Sequence, residues 1–192
     1  MPYLPTNGLP IIEEDEATGE VAEIYAEMKS NLQLPFIPNI VKTIATSPEM
    51  LAFFWKLWFA SIEYRTLPDA LVSMMDYTIS TRSNCTYCSA SSELTCRTLG
   101  VDEDTLHKLI MDLENLNPER VQAIIDFALK VAKHPQELAR EDYDRVREQG
   151  VTDGEIVEII MTAAMGVFTD IIADALQVDV DNMIAMALDE MR

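Results

Sequence analysis

Positive charge is scarce in this sequence. Lys and Arg number 14 against 33 Asp and Glu in 192 residues, a formal net charge of −19, and no Lys or Arg occurs from Asp153 through Met191. Such a field repels phosphate backbones and anionic headgroups, so neither nucleic acid nor a membrane surface is an expected partner. Proline and glycine, at 9 and 6 residues, are too few for a collagen-like or low-complexity chain. Three cysteines do not make a disulfide framework. The longest near-apolar run, Ile159 to Thr169, is bounded by Glu158 and Asp170 and falls far short of the roughly 20 residues of a spanning helix. The opening MPYLPTNGLP has neither a basic n-region nor an apolar h-region, so no secretory leader and a cytoplasmic location are expected. What remains is a chain that is 48% hydrophobic and of a length for one globular domain, residues 1–192.

Period-two alternation is absent over any convincing length, while helical spacing recurs throughout. After a turn-rich opening, Val21, Ile24, Tyr25 and Met28 fall on one face of a helix from Gly19 to Leu32, with Glu20, Glu23 and Glu27 between them. A short helix follows Pro38. Pro48 to Tyr64 is a helix with Leu51, Phe53, Phe54, Trp55, Leu57, Trp58, Phe59 and Ile62 around much of its circumference, and part of it is expected to face another subunit. Further helices are expected from Asp69 to about Arg82, Cys85 to Leu99, Asp102 to about Leu113, Asn117-Pro118 to about Lys133 and Leu138 to Gln149. The capping box Thr152-x-x-Glu155 opens a long one to about Leu176, and a last begins near Asp181. The expected fold class is all-α, built of helix pairs joined by short loops.

The chemistry-bearing segment is Ser83-Asn-Cys85-Thr-Tyr-Cys88-Ser-Ala-Ser-Ser92-Glu-Leu-Thr-Cys96. Steps of three, four and four place Cys85, Cys88, Ser92 and Cys96 on one helical stripe. A thiol at a helix N-terminus faces unpaired N–H groups and the positive end of the dipole, which favours thiolate, and a second cysteine one turn on can form or resolve a disulfide. Cys96 lies about 12 Å further along, beyond disulfide reach. The pair is open to three readings: redox, metal or packing. Zinc needs four ligands, and only Cys85, Cys88, Cys96 and at most His107 are on offer. His107 and His134 stand in charged, solvated stretches, and the eleven methionines read as packing. No cofactor and no metal are expected.

Three segments, GEVAEIYAEMKSNLQLPFIPNIVKTIATSPEMLAFFWKLW, MMDYTISTRSNCTYCSASSE and VTDGEIVEIIMTAAMGVFTDIIADAL, resemble the alkylhydroperoxidase D-like (AhpD-like) branch of the carboxymuconolactone decarboxylase superfamily. The resemblance implies an all-helical AhpD-like fold of paired antiparallel helices and a homo-oligomer, trimer or hexamer, with the Cys helix near a subunit contact. It implies a hydroperoxide or disulfide reductase in which Cys88 attacks a small hydroperoxide, Cys85 closes the disulfide and an external dithiol reductant resets the pair. The family's relay Glu and His fall on Ser73 and Ser92, neither of which holds a proton as a base near neutral pH. Glu93 and Asp76 lie near these positions but around the helix from them, and are assigned no role. Two further readings stand beside the reductase: a non-catalytic oligomeric member of the fold, and an enzyme of the carboxymuconolactone decarboxylase type.

Overall fold

The structure, a computed structural model, describes residues 8–191; the first seven residues of the turn-rich opening lie outside them. Ten α-helices and two short 3-10 turns make up the described residues, with no strand among them. Two compact units group these elements. One runs to Tyr64 and includes Ala173–Asp181; the other comprises Arg65–Ile172 and the chain from Asn182 onward.

In the first unit, α1 (Gly19–Leu32) buries Val21, Ile24, Tyr25 and Met28, the stripe expected from the spacing. The Tyr25 hydroxyl donates to the Ile12 carbonyl at 2.9 Å, which ties the preceding loop to the helix. The helix stops where Gln33 turns left-handed at φ 51°. α2 (Asn39–Ile44) buries Ile40, Val41 and Thr43. Its first amide, Asn39 N, donates to the buried Asp181 carboxylate at 3.0 Å, a cap supplied from 142 residues away. α3 (Pro48–Glu63) packs on α1 and α2 through Leu51, Phe54 and Trp55, and is exposed at Met50 and Phe53. Trp55 stacks obliquely on Phe59 at 5.0 Å and meets Trp58 edge-on at 6.3 Å. With only 3% of its surface exposed, Trp55 belongs to the core of this unit, not to its surface.

The second unit is organised around α4 (Asp69–Ser83), which packs on α5 (Thr86–Thr98), α6 (Glu103–Met111) and α7 (Glu119–Lys133). α4 buries Leu71, Val72, Ser73, Met74, Met75, Thr78, Ile79 and Ser80, and a helix buried on so many sides must carry small or self-satisfied polar groups. Thr78 meets that need by donating its hydroxyl to the Met74 carbonyl at 2.7 Å. α7 contributes Ala123, Ile124, Ile125, Phe127, Ala128 and Val131 to the same core. α8 (Arg140–Glu148) packs on α7, and α10 (Asn182–Met191) on α5. Asp102 caps α6 by accepting from Thr105 N at 2.7 Å.

The expected capping box opens α9 (Asp153–Ala175), with Thr152 N donating to Glu155 at 2.7 Å and Glu155 N donating to the Thr152 hydroxyl at 3.2 Å. Along α9, Ile156, Ile159, Ala163, Gly166 and Asp170 are buried at steps of three, four, three and four, the signature of one helical face. Glu158, on the flank, accepts from Thr66 N and Leu67 N, each at 2.9 Å, and from the Thr66 hydroxyl, which fixes the strap leading into α4. Glu158 and Asp170, which bound the near-apolar run, both lie inside this helix, in keeping with the expected span to about Leu176. As a whole α9, 23 residues with a most apolar window of mean hydropathy 1.9, is long and apolar enough to cross a membrane by length and composition. Its inner stripe is packed into the fold.

Candidate active site

A corner of one residue places the cysteines. Asn84 takes the left-handed conformation, φ 62° and ψ 25°, which asparagine tolerates better than most residues. Asn84 N then bonds the Thr81 carbonyl at 3.2 Å and Cys85 N bonds the Ser80 carbonyl at 3.0 Å, the paired bonds of a Schellman closure. Cys85 is thereby the N-cap of α5, and Cys88 lies in the first turn. The Ser89 hydroxyl donates to the Cys85 carbonyl at 2.6 Å.

Both sulfurs point inward. Cys85 is fully buried at 0% and Cys88 exposes 8%. Opposite them stands Asp170 of α9, itself buried, and the two Sγ atoms and an Asp170 carboxylate oxygen all lie within 4.8 Å of one another. The Cys85 Sγ also approaches the Asp170 carbonyl at 3.9 Å. Ser80 donates its hydroxyl to Asp170 Oδ1 at 2.7 Å, so this serine serves the corner through its carbonyl and the carboxylate through its side chain.

Asp76, one turn before Ser80 on α4, lies against α9 one turn before Asp170. A Cβ at Gly166 would stand 3.3 Å from Asp76 Oδ1 and 3.7 Å from Ile79 Cγ2. Glycine in mid-helix costs roughly 1 kcal/mol relative to alanine, and here its bare Cα makes room for the carboxyl. Burial pushes Asp76 up to about 7, against the pull of Arg65 and with the charge of Asp170 adding to the rise. Folded Asp76 thus keeps a proton that the unfolded chain releases. Stability tied to this group is present at acid pH and declines as pH rises from the ordinary 3.8 to about 7. Asp76→Asn should therefore be the more stable protein at pH 8 by about 1–2 kcal/mol, a margin shrinking toward pH 4, as urea melts at several pH values would read.

The thiols overturn one expectation. The helix terminus was expected to depress the Cys88 pKa toward neutrality; instead it is raised, first by the hydrogen bond to Cys85, then by burial, by the charge of Cys85 and by the charge and hydrogen bond of Asp170. Two acidic neighbours outweigh a partial positive charge at the terminus. Cys96, on the same stripe, sits in the main core, where burial and then the charges of Asp76 and Glu93 push its thiol up to about 12, with Arg97 opposing. It is a packing residue. Ser73 is buried and Ser92 partly so, and neither brings a titratable group to the pair. Glu93 is held by Arg97 at 2.9 Å. The carboxyl groups near the site are instead Asp170 and Asp76, of which Asp170 was missed altogether; its signal in the sequence is a carboxylate that closes the near-apolar run from Ile159 to Thr169. As a cation site, Cys85, Cys88 and Asp170 form an incomplete cage: among the described residues no fourth His, Cys, Asp or Glu joins them, and His107 and His134 are not in the group.

No protein-family model and no curated protein matches the chain. Its folding pattern does match solved structures. An uncharacterized peroxidase-related protein from Ralstonia eutropha JMP134, described as an alkylhydroperoxidase AhpD core, is 21% identical with a TM-score of 0.80 over 91% of this chain and 92% of that one. A second peroxidase-related protein, from Silicibacter sp. TM1040, gives 20% and 0.82 over 94% of each chain. The debrominase Bmp8, solved without ligand and as a cysteine-to-alanine variant with 2,3,4-tribromopyrrole, gives 18% and 0.78 over 96% of this chain and 97% of that one. At these identities the likeness establishes architecture, and the chain has the all-helical fold of the alkylhydroperoxidase AhpD-like proteins.

Proposed function

We propose that the protein is a dithiol reductase of small hydroperoxides or disulfides, with Cys88 as the attacking sulfur and Cys85 as the resolving one. The observation that carries this reading is the placement of two buried sulfurs side by side at the start of α5, with a carboxylate within 4.8 Å of both. Cys88 is the member with residual exposure, 8% against 0% for Cys85, which favours it as the group that meets an incoming electrophile. In the reaction Cys88 takes the outer peroxide oxygen, the O–O bond breaks to release an alcohol, and Cys85 displaces hydroxide from the sulfenic acid to leave a disulfide and water. An external dithiol reductant restores both thiols. No cofactor enters this cycle. A reducing cytoplasm suits it, and assembly as a trimer or hexamer belongs to the same proposal, to be read as a mass of three or six chains by light scattering.

The test is mass spectrometry of the protein after one equivalent of hydrogen peroxide. Loss of two hydrogens, mapped to a Cys85–Cys88 peptide, is expected; persistence of both free thiols would remove the reading. The debrominase of like fold suggests a second electrophile for the same two electrons, a carbon-bound bromine replaced by hydrogen with release of bromide and formation of the same disulfide. A brominated pyrrole offered in place of peroxide separates the two substrates.

A further inference from the structure

Resting on the dithiol-reductase reading, we propose that Asp170 is the proton acceptor for the Cys88 thiol, its carboxylate aimed by the Ser80 hydroxyl, so that α9 supplies the base that Ser73 and Ser92 do not. Ser80 Oγ to Asp170 Oδ1 is 2.7 Å, and the Asp170 carboxylate lies within 4.8 Å of both sulfurs. A thiol whose proton is held by its neighbours is a poor source of standing thiolate, and general base catalysis answers that case: the proton leaves as the new bond forms, so no thiolate need accumulate. Below a pH of about 7 Asp76 holds its own proton, which spares Asp170 a second negative charge beside it.

The steps balance. The Cys88 proton passes to Asp170 as the sulfur lone pair attacks the outer peroxide oxygen; the S–O bond forms, the O–O bond breaks, and the leaving alkoxide takes the proton back from Asp170 as alcohol. Asp170 then receives the Cys85 proton as Cys85 attacks the Cys88 sulfur. The S–S bond forms, the S–O bond breaks, and hydroxide leaves with that proton as water. Both electrons delivered to the peroxide come from the two thiols, which end as a disulfide.

The experiment compares the full-length wild type with Asp170→Asn by two rates, alkylation of Cys88 by iodoacetamide and formation of the Cys85–Cys88 disulfide with hydrogen peroxide. Alkylation requires only thiolate, and removing a neighbouring negative charge favours thiolate. Asp170→Asn is expected to alkylate faster at pH 8 while forming the disulfide roughly a hundredfold more slowly. A merely structural role would move both rates in one direction. Wild-type disulfide formation in the variant, or slowing of both rates together, overturns the assignment and leaves the reductase reading standing. Wild-type protein that alkylates at Cys88 yet forms no disulfide overturns the reductase reading and this one with it. Ser80→Ala keeps the carboxylate but loses the bond that aims it; about tenfold slower oxidation with unchanged alkylation is expected, and unchanged oxidation would overturn the assignment should Asp170→Asn fail to fold.

Discussion

Cys88→Ser is expected to bring dithiol-dependent hydroperoxide consumption down to the uncatalysed background, a loss of at least about a thousandfold, because the hydroxyl that replaces the thiol is a far weaker nucleophile. Cys85→Ser should behave differently. Its Cys88 still attacks, so one equivalent of peroxide is consumed and the protein stalls as a sulfenic acid that a dimedone-type probe traps. With an excess of small thiol, slow turnover returns through a mixed disulfide. The split between the two variants is the informative quantity: equal loss in both, with no burst in Cys85→Ser, would reverse the roles of the two sulfurs. The ordering expected here rests on exposure, since Cys88 retains 8% of its surface and Cys85 none.

The second large effect lies in α9. Ile159→Ala removes a fully buried side chain from the core that also holds Leu71, Met75, Leu109 and Ile124, and the cavity left should cost about 2–5 kcal/mol in urea or thermal unfolding. Val157→Ala, two residues away at 60% exposure, should change stability by no more than about 0.5 kcal/mol. A helix of this hydropathy in a bilayer would show no such contrast, because lipid surrounds both faces with apolar contact. Equal, small effects at both positions would therefore count against the packing of the 156, 159, 163, 166 and 170 stripe into the core of the protein.

Much of the fold was legible because its signals are local. The stripe of Val21, Ile24, Tyr25 and Met28, the Asp102 cap, the Thr152 and Glu155 box and the prolines that start α3 and cap α7 are each decided within one or two turns of chain. The position of Cys85 at a helix start was legible for the same reason. What escaped is decided across the sequence. Asp170 stands 85 residues from Cys85 in the chain, and its place opposite the thiols depends on how α9 lies on α4, which no periodicity encodes. The direction of the Cys88 shift failed likewise: the helix-terminus argument counts only α5, whereas the proton is held by a carboxylate from α9 as well as by Cys85. On α3 an apolar circumference does not say which ring is core and which is surface; Phe53 is the exposed one and Trp55 is buried.

The corner at Asn84 also bears on motion. With one left-handed residue between α4 and α5, and the Cys85 amide bonded to the Ser80 carbonyl, there is little chain in which a hinge could form. Breathing that admits a substrate to Cys88 has then to come from the elements facing α5 rather than from α5 swinging away. Amide hydrogen exchange would register this as an asymmetry, with slow exchange at Cys85 set by opening of the whole α4–α5 pair, and faster exchange in α10, which packs on α5.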